Sequence, residues 1–272
     1  MDFVKQQKPI SKLSWKWVLF IAVGLLFIGW LFNTPAGILG KADAVGYAVC
    51  HRIDLRSFHI HGRQMPLCAR CTGMYLGAML GLVYQSVTAR KRTGLPSLKV
   101  MILLGLLVAA FGIDGINSYL HFFPGFKGLY EPQNWLRLLT GTGMGISISS
   151  VLFPAFNQSA WKDYNEQKAI PGFRSLGILL FLAVVLDLIV ISEFWPALYV
   201  LALISAGGVL VLLTMVYTMV FLMLLRRENL FEKINQMLVP IAAGFLMAML
   251  QIAAIDYVRL WLTGTWNGFS LG

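Results

Sequence analysis

The chain has 272 residues, of which 58% are hydrophobic and only 12% are charged, and its mean hydropathy is +0.72. Soluble globular domains have about a quarter of their residues charged, so this composition excludes an ordinary soluble protein. The formal net charge of +10 does not indicate a nucleic-acid partner. The basic residues are not interleaved with the stacking aromatic residues that line a nucleic-acid groove.

Seven hydrophobic segments are long enough to cross a hydrocarbon core of about 30 Å as helices. They are residues 17–32, 66–87, 98–121, 134–156, 173–192, 196–225 and 238–263. No clear small-residue cleavage site follows the first segment, which favours a membrane span over a removable signal peptide. The sequence therefore predicts an all-α fold, a polytopic integral membrane helix bundle of about seven transmembrane helices in the lipid bilayer.

Lysine and arginine accumulate in alternate connecting segments of this predicted bundle. These residues are Lys5, Lys8, Lys12, Lys16, Arg90, Lys91, Arg92, Lys99, Lys162, Lys168, Arg174, Arg226, Arg227 and Lys233. Because short basic loops stay in the cytoplasm, the pattern predicts a multi-pass protein of the cell membrane with a cytoplasmic N-terminus. An odd number of spans then places the C-terminus and residues 50–71 on the extracytoplasmic side.

The predicted spans divide the chain into four parts. Residues 1–33 form an N-terminal segment with the first span, and residues 34–65 form an extracytoplasmic loop rich in Cys, His and Arg. Residues 66–156 form a three-helix core, and residues 157–272 add three further spans. Glycines at four-residue spacing in the core, such as Gly73, Gly77 and Gly81, predict close helix packing.

All three cysteines, Cys50, Cys68 and Cys71, lie within residues 50–71. Pro66 suits the first turn of a helix, so Cys68 and Cys71 are expected on one face at the start of the second span. The N-terminus of that helix and Arg70 both favour thiolate over thiol. The sequence therefore predicts a reactive or metal-binding thiol cluster near the membrane surface.

A metal site is the leading interpretation of this cluster, with zinc as the expected cofactor. Cys50, Cys68 and Cys71 together with His51 make the Cys₃His set that zinc takes in tetrahedral sites. His59 or His61 is the alternative fourth ligand. If only the three thiolates bind, a water molecule completes the coordination and the metal can be catalytic.

Two other interpretations of the cysteines stay open. In the first, Cys68 and Cys71 act as a membrane thiol-disulfide or quinone oxidoreductase with Cys50 as the resolving thiol. The odd number of cysteines and the lack of a second pair count against this relay. In the second, Cys50 forms a structural disulfide with one of the other two cysteines in an oxidising compartment.

Apart from Lys99 and Arg174 at the predicted cytoplasmic ends, ionisable residues within the spans are confined to their predicted outer halves. Asp114 in the third span, Arg137 in the fourth, and Asp256 and Arg259 in the seventh all lie there, and the polar Asn134 lies beside Arg137. Because a charge facing lipid costs at least about 2.5 kcal/mol, these groups should point inward and form a polar chamber open to the outside. Asp256 and Arg259, three residues apart, are expected to form a structural ion pair.

The chamber is predicted to hold an anionic group, such as a lipid phosphate. The external loop is basic although it lies on the side that the positive-inside rule keeps poor in lysine and arginine. The expected binding residues are Arg56, Arg70, Asn134 and Arg137, whose arginines can form forked hydrogen bonds to phosphate. Asp114 and Arg137 are the candidate catalytic residues, with Asp114 as acid or base. A non-catalytic transporter or structural membrane subunit is a further alternative.

Several strings of the sequence together resemble a known family. Among them are Cys50-His51-Arg52, the run PLCARCTGMYLG over residues 66–77, Asp114-Gly115 and Asn134-Trp135-Leu136-Arg137. They are similar to the signature of domain-of-unknown-function family 2085, predicted prokaryotic membrane proteins, over about residues 50–145. The family brings no established reaction. The resemblance implies one motif set: Cys50, His51, Arg56, Cys68, Arg70, Cys71, Asp114, Asn134 and Arg137.

Overall fold

The computed structural model describes residues 14–123, 125 and 128–268. It contains eight α-helices: α1 (Ser14–Asn33), α2 (Ile38–Val49), α3 (Ala69–Thr88), α4 (Leu98–Leu120), α5 (Asn134–Ala160), α6 (Phe173–Ile191), α7 (Trp195–Leu224) and α8 (Ile234–Thr263). Strands β1 (His59–Ile60) and β2 (Arg63–Gln64) pair antiparallel, and β3 (Arg92–Gly94) pairs parallel with β4 (Asn165–Lys168). The predicted basic residues Lys5, Lys8 and Lys12, and positions 269–272 of the predicted tail, lie outside the described residues.

The prediction of an all-helical multi-pass membrane protein is confirmed, and the number of spans is close to the predicted one. Six described helices, α1 and α4 to α8, are long and apolar enough to cross a membrane. Helix α3 matches the second predicted span but is less apolar, because its polar side chains face other helices rather than lipid. Gln85, for example, is buried and donates to the carbonyl oxygens of Gly81 and Ser149, each at 3.0 Å.

The segment 34–65, predicted as a loop, contains helix α2. With 12 residues α2 is too short to span a bilayer. The helix packs against α7 and α8, and its small residues, including Gly40, Ala44 and Gly46, are buried. Tertiary packing rather than strong helical periodicity explains this helix, and its C-terminal end leads directly into the cysteine region.

Helices α3 and α5 form the centre of the bundle and pack backbone against backbone. A Cβ atom on Gly77 of α3 would lie 2.4 Å from the carbonyl oxygen of Thr142, and one on Gly145 of α5 would lie 2.0 Å from that of Met74. Only glycine allows this approach, as the four-residue spacing predicted. In α4 a Cβ on Gly105 would meet nothing within 4 Å, so this glycine is not a packing residue.

The bundle has two chemically different ends. The cysteine end carries residues 50–71, and the halves of α4, α5, α6 and α8 nearest to it hold the buried ionisable residues Asp114, Arg137, Asp187 and Asp256. The opposite end, here called the basic end, carries β3, β4 and the described residues of the basic clusters that connect the helices there. The fold therefore separates the candidate site from the basic loops, for which the sequence predicts a cytoplasmic location.

Candidate functional site

The first cysteine is positioned by the end of α2. Cys50 follows α2 directly, and its backbone N–H donates to the carbonyl oxygen of Gly46 at 2.8 Å. A Cβ atom on Gly46 would lie 1.9 Å from the carbonyl oxygen of Pro66, so glycine lets the chain before α3 lie against α2. This contact brings Cys50 opposite Cys68, which precedes the first residue of α3.

The three sulfur atoms form one cluster. The Sγ atoms of Cys50, Cys68 and Cys71 all lie within 4.8 Å of one another, and Cys50 and Cys68 are buried. The backbone N–H of Cys68 donates to Cys50 Sγ at 3.3 Å. Tetrahedral zinc with Zn–S bonds of about 2.3 Å holds its thiolates about 3.8 Å apart. The donor set and its spacing therefore fit a single zinc ion shared by three thiolates.

The pKa values of Cys50 and Cys68 are shifted in opposite directions. Hydrogen bonds from the thiols of Cys68 and Cys71 hold the pKa of Cys50 well below its usual range, although burial opposes this effect. The hydrogen bond to Cys50 is the main cause that raises the pKa of Cys68 to about 12, and burial adds to it. These hydrogen bonds therefore favour the thiolate form at Cys50 over Cys68, and a metal ion would replace the thiol protons.

The three histidines proposed as fourth ligands lie outside this sulfur cluster. His51 Nδ1 accepts the backbone N–H of Ile53 at 3.0 Å, and burial lowers the pKa of His51, which favours a neutral ring. His59 Nε2 bonds to Asp54 at 2.9 Å, and His61 packs on the Trp195 ring at 5.1 Å. Within the described residues, the close group of metal-ligating atoms contains the three cysteines alone. The fourth ligand stays a prediction.

Arg259 of α8 binds the backbone of the cysteine region. Its guanidinium donates to the carbonyl oxygens of Tyr47, Cys50 at 2.7 Å and His51 at 3.3 Å, and lies 4.0 Å from the centre of the Tyr47 ring. The predicted ion pair with Asp256 is not among these contacts. Asp256 instead accepts a hydrogen bond from Trp30 Nε1 at 2.9 Å. Apart from the presence of an arginine within a span, no sequence pattern indicated these carbonyl contacts.

Three arginines converge on Ser118 of α4, and this group is here called the arginine cluster. Arg56 donates to the Ser118 carbonyl oxygen at 3.0 Å, while Arg70 and Arg137 donate to its Oγ at 3.0 and 3.4 Å. Arg137 is 7% exposed. The structure therefore brings the three predicted anion-binding arginines together from the cysteine loop, α3 and α5. Ser118 was part of the predicted polar third span but not of the predicted site.

Asp114 is the acidic partner of the arginine cluster. Its carboxylate is 1% exposed and accepts two hydrogen bonds from Arg70, one of them from Nε at 3.1 Å. The Tyr130 hydroxyl donates to the other oxygen at 3.0 Å. Asp114 therefore pairs with Arg70, and three guanidinium groups face one carboxylate. The described part of this cluster keeps an excess of positive charge.

The excess of positive charge affects the pKa of Arg56. Burial lowers the pKa of Arg56 to about 10, and the positive charges of Arg137 and Arg70 contribute in the same direction. A bound anion would relieve both effects. Asn134 lies beside these groups and accepts from Arg137 at 2.8 Å, while its amide donates to the carbonyl oxygens of Leu55 and Ser57. Asn134 therefore fastens the cysteine loop to α5.

The sulfur cluster and the arginine cluster lie on different faces of the same helix end. A step of one residue turns an α-helix by about 100°. Arg70 therefore points toward Asp114 of α4, whereas Cys71, the next residue, faces Cys50 and Cys68. The N-terminus of α3 thus separates a thiolate site from a cationic site within one helical turn.

A family profile matches the part of the chain that carries most of these residues. The profile of a family described as predicted membrane protein (DUF2085) matches residues 50–151. An uncharacterized protein of Methanothermobacter thermautotrophicus is 36% identical over 101 residues, which cover 37% of this chain and 81% of that protein. An uncharacterized protein of Methanocaldococcus jannaschii is 29% identical over 156 residues, covering 57% of this chain and 94% of that protein. No solved structure matches the chain.

Proposed function

Since the chain belongs to the DUF2085 family of predicted membrane proteins, we propose that it is a membrane protein that binds zinc and an anionic group side by side. The proposal rests mainly on the three sulfur atoms within 4.8 Å of one another. Cys50, Cys68 and Cys71 hold the metal, and His51 or water supplies the fourth ligand. Arg56, Arg70 and Arg137 bind the anion.

The zinc site supplies a fixed divalent charge and a cross-link between α2 and α3. Cys50 ends α2 and Cys68 precedes α3, so both thiolates stand on rigid helix ends. Arg259 fixes the Cys50 carbonyl group and thereby the direction of its side chain. The N–H of Cys68 stabilises negative charge on Cys50 Sγ. Supporting hydrogen bonds of this kind orient and tune metal ligands.

The arginine cluster supplies the anion site. Guanidinium groups form paired hydrogen bonds with phosphate oxygens, and their charge acts more strongly where water is excluded. We propose that Arg137 and Arg56 contact the anion directly. Asp114, engaged by both Arg70 and Tyr130, acts as a positioning residue for Arg70. A phosphate group of a lipid or of a soluble compound fits this chemistry.

Zinc content tests the metal half of the proposal. Protein purified under reducing conditions should carry about one zinc per chain by elemental analysis, and Cys68→Ser should carry less than about a tenth of that amount, because a hydroxyl replaces a required thiolate. The Ser86→Ala variant at the basic end is the matched control and should keep its zinc.

Equal zinc content in the wild type and Cys68→Ser would contradict the metal site. Maleimide labelling with and without reductant then separates the remaining possibilities. A reversible disulfide between Cys68 and Cys71 in a metal-free protein would favour the thiol oxidoreductase instead.

We further propose that the cysteine end faces the extracytoplasmic side. Support comes from the basic end, where Arg90, Lys91, Arg92 and the other described connecting basic residues lie together. In intact cells a membrane-impermeant maleimide should label Glu131→Cys at the cysteine end, where Glu131 is 88% exposed. Glu228→Cys at the basic end should react only after permeabilisation. The wild-type chain measures background labelling, and the reverse pattern would overturn this orientation.

A further inference from the structure

A cavity of about 490 Å³ lies between α1 and α8 near the cysteine end, apart from both clusters described above. Most of its wall is apolar, and Trp266 from the segment after α8 contributes to it. Leu25 and Tyr257, which also line the cavity, are 68% and 72% exposed. Both helices are candidate membrane spans, so the cavity opens on a surface that faces lipid.

The cavity contains one buried carboxylate with a free acceptor position. Asp256 lines the cavity and is 3% exposed. Its Oδ2 accepts the Nε1–H of Trp30 at 2.9 Å, whereas Oδ1 is buried and has no hydrogen-bond partner among the residues that the structure describes. Leaving a buried polar atom unpaired is costly, so a partner from outside the chain is expected.

The other polar groups at the cavity do not provide this partner. Asn33 donates its amide to the carbonyl oxygen of Gly29 at 2.8 Å, and the Thr34 hydroxyl donates to that of Trp30 at 2.9 Å. The Trp30 hydrogen bond between α1 and α8 uses one oxygen of Asp256. The second carboxylate oxygen of Asp256 is therefore not used in the contact between α1 and α8.

We infer that this cavity binds a membrane amphiphile whose head group donates a hydrogen bond to Asp256, such as a long-chain alcohol or amine. The indole N–H of Trp30 is a donor only, so Asp256 acts as an acceptor, and a second donor suits its other oxygen. The apolar walls take the hydrocarbon chain, and the lateral opening admits it from the bilayer. This inference is independent of the zinc and of the anion.

Photolabelling with three C16 probes tests the inference. Diazirine-bearing hexadecanol and hexadecylamine have donor head groups, whereas the corresponding methyl ester can only accept. In detergent-solubilised full-length protein, at least one donor probe should label peptides of α1 and α8, and Asp256→Ala should reduce this labelling about tenfold or more. In Asp256→Asn the amide oxygen takes the Trp30 hydrogen bond, so an NH₂ donor faces the cavity in place of the free oxygen. This variant should lose labelling by the amine and retain labelling by the alcohol, whose oxygen can accept.

Asp187 provides the matched control. It is also 3% exposed, its Oδ1 accepts from Thr142 at 2.7 Å, and its Oδ2 has no partner in the described part of the chain. It lies between α5 and α6, so Asp187→Ala should leave the labelling of α1 and α8 unchanged. Equal labelling by the methyl ester, labelling confined to other helices, or undiminished donor labelling in a folded Asp256→Ala variant would overturn the inference.

Discussion

Replacing Arg137 by alanine should weaken the binding of inorganic phosphate about tenfold to a hundredfold. Arg137 is 7% exposed and shares Ser118 with Arg70, so its charge acts on a bound anion with little screening by water. A hydrogen bond to a charged group contributes about 1.5 to 3 kcal/mol, which corresponds to this loss of affinity. Isothermal titration of the purified protein with phosphate measures the effect.

Asp114→Asn should change phosphate binding in the opposite direction. It removes the carboxylate that neutralises Arg70 while keeping a side chain of the same shape, so the local charge becomes more positive. Lys99→Ala at the basic end changes the net charge as much as Arg137→Ala does and should leave the affinity unchanged. If Arg137→Ala and Lys99→Ala have equal effects, binding follows net charge alone and the anion site is refuted.

Two titrations distinguish the source of the phosphate. Nanodiscs of phosphatidylglycerol offer the anion on a lipid, and inorganic phosphate offers it in solution. A lipid head group would meet the arginine cluster at Arg56, whose guanidinium packs on the Phe122 ring at 3.9 Å. Retention of phosphatidylglycerol by the wild type and its loss in Arg137→Ala, measured by native mass spectrometry, would identify the lipid as the ligand.

The sequence predicted those features that depend on local pattern. Hydrophobic length predicted the spans, because a bilayer requires about 20 apolar residues per helix. Glycine spacing predicted close helix packing in the core, and Gly77 and Gly145 admit the backbone of the other helix where α3 meets α5. The position of Pro66 and the Cys68/Cys71 spacing predicted a thiol pair at the start of α3, and the structure has both residues there.

Features that depend on contacts between distant segments could not be predicted in the same way. Helix α2 forms where the sequence indicated a loop, because burial of small residues stabilises it. Arg259 is 209 residues from Cys50, and no periodicity relates the two. The partners of the buried carboxylates also come from distant segments: Asp256 accepts a hydrogen bond from Trp30 of α1, and Asp114 pairs with Arg70. Partner choice among buried polar groups is decided by which helices meet.

For each proton that zinc binding releases, the affinity for zinc should increase about tenfold per pH unit between pH 6 and 8. The pKa of Cys68 is raised to about 12, so its thiol is protonated throughout this range and must lose its proton to the solvent when it binds zinc. The lowered pKa of Cys50 has the opposite consequence, because a thiolate that is already formed releases no proton. Competition with a chelator of known pH dependence measures the slope.

The pH slope also separates thiolate coordination from binding by histidine. Burial lowers the pKa of His51, so its ring is neutral above pH 7 and contributes little to the slope there. His51→Gln should therefore keep the slope, whether or not the affinity changes. Zinc binding that is independent of pH from 7 to 8 would mean that no thiol proton is released. That result would contradict coordination by Cys68 and would favour a redox function for the sulfur cluster.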